Sequence, residues 1–157
     1  MPCNVMVTNR QKEVLFTIQK NCVQTIVDFV LTREKQKADF LSVEFLSDAS
    51  TRRMHKIFFN DSSSTDCMSF PIDLANETPP RHLGDVFICP KTALQHVHDD
   101  PSLFFDEITL YLVHGLLHLL NYDDLEFEQR KKMKRQEASI MKHLRQHGQI
   151  LSGKIQL

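Results

Sequence analysis

Hydrophobic positions along this chain alternate between a two-residue and a helical period, and the changes of period mark out its elements. The stretch from Cys3 to Thr8 reads as a short first strand. From Lys12 to Leu31, apolar residues recur at Val14, Leu15, Ile18, Cys22, Val23, Ile26, Val27 and Val30, which predicts one helix. The charged run Thr32 to Asp39 ends it. Phe40, Leu41, Val43, Phe45 and Leu46 predict a second strand. Ser47 or Asp48 suits the N-cap of a helix reaching Phe58. A polar loop, Asn60 to Ser64, leads into a strand from Cys67 to Phe70 that Pro71 closes. A loop at Asn76 to Pro80 precedes a strand from Leu83 to Cys89, and Pro90 fits the first turn of the next helix.

After the break at Asp99-Asp100-Pro101, a strongly apolar helix runs from Ser102 to Asn121, with Asn121 suited to a left-handed cap. A last helix runs from Leu125 to His147. This order predicts one α/β domain of mixed α+β type over residues 1–148. It would hold a mixed sheet of about four strands, surrounding helices, and a central helix bearing histidines. Residues 149–157 are expected to form a flexible tail.

The apolar helix has one polar stripe. On a wheel with about 100° per residue, Glu107, Tyr111, His114 and His118 fall together, and leucine, isoleucine and valine fill most of the remaining arc. Such a helix belongs in the domain centre. Its stripe must line a cavity or find partners, because unpaired buried polar groups are costly.

Composition narrows the class. A chain of 157 residues with 41% hydrophobic content suits a single globular domain. The net charge of −1 hides a segregated pattern: residues 130–145 contain seven Lys or Arg and one acid, Glu137. Lys131, Lys132, Lys134 and Arg135 could bind phosphates or simply form a solvated face. The four cysteines, Cys3, Cys22, Cys67 and Cys89, form no Cys-x-x-Cys pair, so a zinc ribbon or redox motif is not supported, and reduced, mostly buried thiols are expected. The N-terminus lacks the pattern of a signal peptide, and the apolar stretch Ile108 to Leu120 is too short to span a bilayer. A cytoplasmic protein without membrane contact is expected.

The candidate chemistry is His114-Gly-Leu-Leu-His118, with Asp124 six residues further on. Two histidines four apart share a helix face and can grip one ion. A third ligand, Asp124, would leave one position open, as catalytic zinc sites do. Gly115 occupies the place where His-Glu-x-x-His peptidases carry their general base, which disfavours that chemistry. A glycine here costs about 1 kcal/mol relative to alanine and points to a close approach to the helix backbone.

The run from His114 to Asp124 resembles the signature of the YbeY family, His-Gly-x-Leu-His-Leu-x-Gly-Tyr-Asp-His. Thr65-Asp66-Cys67-Met68-Ser69-Phe70-Pro71 is similar to that family's Thr-Asp-Val-Leu-Ser-Phe-Pro block, and Leu83-Gly84-Asp85-Val86 to its Leu-Gly-Asp-Ile block. All three occur in the family's order. The resemblance implies a zinc-dependent, single-strand-specific endoribonuclease, with one zinc held by His114, His118 and Asp124. It implies action on rRNA of the small ribosomal subunit, in 16S 3′-end processing and ribosome quality control, with ribosomal proteins as further partners. Three departures stand out. Asp124 replaces a histidine and Asn121 a glycine. Phe59 stands where the family carries an arginine, a place that Arg52 or Arg53 could fill from the preceding helix.

No catalytic residue is assigned. Asp85, Asp123 and Arg53 are the candidates. Asp85 either faces the cleft or holds a turn, and Ser69 is equally open. Asp123 either orients a ligand histidine or caps the last helix. His82, His96 and His98 read as surface residues. Two alternatives to the nuclease remain: a non-catalytic, metal-bearing ribosome-assembly factor, and a metallohydrolase of small substrates.

Overall fold

A computed structural model of the chain describes residues 2–19, 21–73 and 78–157. Four strands, β1 (Asn4–Asn9), β3 (Phe40–Phe45), β4 (Cys67–Pro71) and β5 (His82–Ile88), form a sheet in the order β1-β3-β5-β4. β1, β3 and β5 run parallel, and β4 pairs antiparallel with β5 at the edge. The mixed four-stranded sheet matches expectation. Asn76 and Glu77 of the expected loop lie outside the described residues.

Local chemistry accounts for the helix boundaries. In α2 (Asp48–Phe59) the Ser47 side chain accepts from the Ser50 N–H at 3.1 Å, so Ser47 is the cap and Asp48 the first helical residue. Pro90 opens α3 (Pro90–His96). Asp100 caps α4 (Pro101–Leu119) by accepting from the Ser102 N–H at 2.9 Å. After α4 the chain turns at Asn121, whose φ of 71° is the left-handed conformation that asparagine tolerates. The last helix, α5, spans Phe127–Gln146.

Two expectations are corrected. Residues 12–31 are not one helix: Leu15–Ile18 form strand β2, and α1 begins at Cys22 (Cys22–Arg33). Apolar residues at 14, 15, 18 and 22 fit a helical period, and those at 14, 16 and 18 fit a period of two. The pairing partner decides between them. Phe16 points inward, its ring edge-on to Phe45 and Phe104 at 5.2 Å. The second correction concerns the tail. Gly153–Gln156 form strand β6, antiparallel to β2. The preceding Leu151 is fully buried, and its N–H donates to Thr109 Oγ1 of α4 at 2.9 Å. Gly153 lets the strands meet, since a β-carbon there would strike the Thr17 carbonyl oxygen.

α4 lies at the centre, packed on the face of the sheet carrying Leu41, Val43, Phe45, Val86 and Ile88, all at most 2% exposed. The approach is closest at Gly115. A β-carbon there would stand 2.6 Å from Val86 Cγ1 and 3.1 Å from Ser69 Oγ. Ser69 Oγ donates to the Gly115 carbonyl at 2.9 Å, which gives that residue a structural place on β4. The glycine thus fits the helix to the sheet. A glutamate at this position would project into β5.

Candidate metal centre

The polar stripe of α4 lines cavities, as its wheel predicts. Glu107, Tyr111 and His114 open onto a cavity of about 520 Å³, and His118 onto another of about 510 Å³. Between them, His114 Nε2 and His118 Nε2 face each other at 3.1 Å. Asp124 Oδ2 lies 3.8 Å from the first and 3.5 Å from the second. His114, His118 and Asp124 are therefore a group that could hold a metal ion.

The loop after α4 brings Asp124 back. The Tyr122 N–H bonds the Leu117 carbonyl at 3.0 Å, and the Tyr122 hydroxyl donates to Glu34, the C-cap of α1, at 2.7 Å. Burial and the neighbouring Glu34 push that phenol up to about 12. So anchored, Tyr122 presents its carbonyl to His118 Nδ1 at 3.0 Å. Glu137, reaching in from α5, places Oε2 2.7 Å from His114 Nδ1. A carbonyl and a carboxylate can only accept, so each Nδ1 must carry a proton. When both rings are neutral, each then turns an Nε2 lone pair toward the other, an arrangement that a cation relieves.

The spacing fits a small cation. Zinc–ligand distances of about 2.0–2.1 Å in a tetrahedron put ligand atoms roughly 3.3–3.4 Å apart. The three separations of 3.1, 3.5 and 3.8 Å bracket that value. His114 is raised above the ordinary imidazole range. Burial opposes its charged form, but the hydrogen bond and charge of Glu137, with Asp66 and Asp124 nearby, outweigh that.

The other candidates fall elsewhere. Asp85 does not face the cleft: Val86 points at Gly115, so Asp85 lies on the opposite face of the sheet, where its carboxylate accepts from Ser42 Oγ. Asp123 does not orient a histidine. It accepts from the Leu125 N–H at 3.0 Å, a turn contact, and Glu137 and the Tyr122 carbonyl perform the orienting role. Arg53 is exposed on α2 and lines neither cavity, and Arg52 is bound to Asp48 at 2.8 Å. Phe59 itself lines the cavity beside His118. His96 stands at the rim of the other, 3.8 Å from Glu107. Sequence reasoning missed Glu137, whose one signal was its isolation as the sole acid in a basic stretch.

Fold and site together define a small α+β protein in which two histidines of the central helix and Asp124 of the loop after it form a group that could hold a metal ion. Residues 6–145 match the family described as Endoribonuclease YbeY. The Endoribonuclease YbeY of Protochlamydia amoebophila is 38% identical over 138 residues, covering 88% of this chain and 91% of that protein. That of Chlamydia abortus is 38% identical over 156 residues, covering 97% and 98%. The solution structure of a Thermotoga maritima protein shares the fold, with a TM-score of 0.54 and 16% identity over 93% of this chain and 95% of that one. The chain belongs to the YbeY family. Among the described residues no helix is long and apolar enough to cross a membrane.

Proposed function

We propose that this protein is a zinc-dependent endoribonuclease that cuts single-stranded rRNA of the small ribosomal subunit, at the 16S 3′ end, in the cytoplasm. The observation that carries the metal-dependent chemistry is the pair of converging Nε2 nitrogens, held by Glu137 and the Tyr122 carbonyl and joined by Asp124. Family membership carries the RNA substrate. When bound, zinc supplies Lewis acidity toward a phosphoryl oxygen. His114, His118 and Asp124 would hold it. Glu137 and Tyr122 keep both imidazoles in the ligating tautomer. Asp124, 40% exposed, leaves the group open on its solvent side.

The test is cleavage of single-stranded and duplex rRNA fragments by zinc-loaded protein, alongside His118→Ala. Metal-dependent cutting of the single strand alone, lost in the variant, is expected. A non-catalytic assembly role is favoured by one observation: neither Arg52 nor Arg53 is brought to the histidines. Rescue of rRNA processing in depleted cells by His118→Ala would establish that second reading and overturn the first.

A further inference from the structure

The two cavities beside the histidines differ in charge. The one beside His114 is lined by three carboxylates, Asp66, Glu107 and Glu137. The one beside His118 is lined by a single carboxylate, Asp123, which is engaged with the Leu125 N–H. Its wall otherwise includes His55, Phe59, Thr65, Ser69 and Tyr122. A polyanionic strand crossing the metal group is repelled on the first side and accommodated on the second.

The second side also carries an aromatic surface that the core does not use. Phe59, at the end of α2, is 53% exposed although its ring lies against Phe70 at 6.0 Å. His55, one turn earlier, sits 5.4 Å from it, held by its Nδ1 contact with the Ser63 carbonyl at 3.0 Å. Phe70 is backed in turn by Phe87 at 5.6 Å. A half-exposed ring braced from behind, in a cavity shared with His118, suits stacking with a flat, uncharged ring system. Unpaired bases of RNA present that surface, and paired ones do not.

We propose that Phe59, backed by Phe70 and flanked by His55, is a stacking platform for an unpaired nucleobase next to the scissile phosphate. The inference rests on the endoribonuclease reading, and it makes Phe59 a determinant of single-strand preference.

The chain contains no tryptophan, so Phe59→Trp gives a unique reporter at the platform. Rapid mixing of the zinc-loaded variant with a short single-stranded oligoadenylate should quench its emission before cleavage. The abasic counterpart and a duplex should leave it unchanged. In the parent protein, Phe59→Ala should weaken oligoadenylate binding at least about 5-fold, the equivalent of ~1 kcal/mol of lost stacking. Phe58→Ala should leave binding unchanged, because Phe58 touches Phe70 but does not line the cavity. Equal quenching by abasic and intact strands, or unchanged binding in Phe59→Ala, overturns the platform and leaves the nuclease reading intact. No binding of any RNA by the parent protein overturns both.

Discussion

Removing Glu137 tests whether the centre depends on a residue remote in sequence. Its Oε2 lies 2.7 Å from His114 Nδ1, and the two side chains are 19% and 31% exposed. A hydrogen bond to a charged group contributes about 1.5–3 kcal/mol, and partial exposure favours the lower half of that range. A loss of ~1.5–2 kcal/mol corresponds to about a 10–30-fold weaker metal affinity, within the 10–100-fold typical of residues that orient ligand histidines. Glu137→Ala should therefore raise the zinc dissociation constant about 10–30-fold. Glu137→Gln keeps an acceptor for Nδ1–H but loses the charge, and should fall between that variant and the parent. Competition against a chromophoric chelator at neutral pH measures both. An affinity for Glu137→Ala within about twofold of the parent, where loss of a residue that orients a ligand histidine gives at least about tenfold, would show that Glu137 does not set the tautomer.

In the metal-free protein, the raised pKa of His114 makes its pair with Glu137 fully stabilising below the ordinary imidazole value of about 6.5, and that stability is lost as pH rises through the raised folded value. Thermal melts of parent and Glu137→Gln without metal should therefore differ most at acidic pH and converge at alkaline pH; a gap that widens with pH would contradict this. Gly115→Ala gains about 1 kcal/mol of helix propensity but must displace Val86, an overpacking cost of about 1–3 kcal/mol. Urea titration should show net destabilisation, partly recovered by adding Val86→Ala, and a more stable single variant would refute the close approach. Truncation after Leu151 removes β6 and should lower stability by about 2 kcal/mol, from ladder bonds worth ~0.5–1.5 kcal/mol each; an unchanged unfolding midpoint would count against the β2–β6 pairing. Burial pushes the thiols of Cys3, Cys22 and Cys67 up, Cys3 to about 11. Aromatic disulfide reagents should modify the native protein slowly at pH 8 and all four cysteines in denaturant, and rapid native modification would contradict this burial.

The parts of the site that sequence reveals are those fixed by local geometry. His114 and His118 share a face because four residues make about one helical turn, and the wheel places Glu107 and Tyr111 above them. Gly115 announces the close approach of the sheet. Asp124 follows from its place in a matched motif. Glu137 lies 19 residues beyond His118 on a separate helix, so only the packing of α5 on α4 reveals its role. Asp85 shows a related gap. Its strand is legible, but which phase of the alternation faces α4 is set by Val86 meeting Gly115. β2 and β6 stay hidden because each is only four residues long: the apolar residues of β2 fit either period, β6 has one apolar residue, Ile155, and each strand needs a partner at least 135 residues away in sequence.

Whether His114, His118 and Asp124 hold zinc is decided by elemental analysis of the protein purified without added metal, as parent and as Asp124→Ala. Close to one zinc per parent chain, and a marked loss in the variant, is expected. Metal-free protein in both, or zinc retained in full by Asp124→Ala, would contradict it.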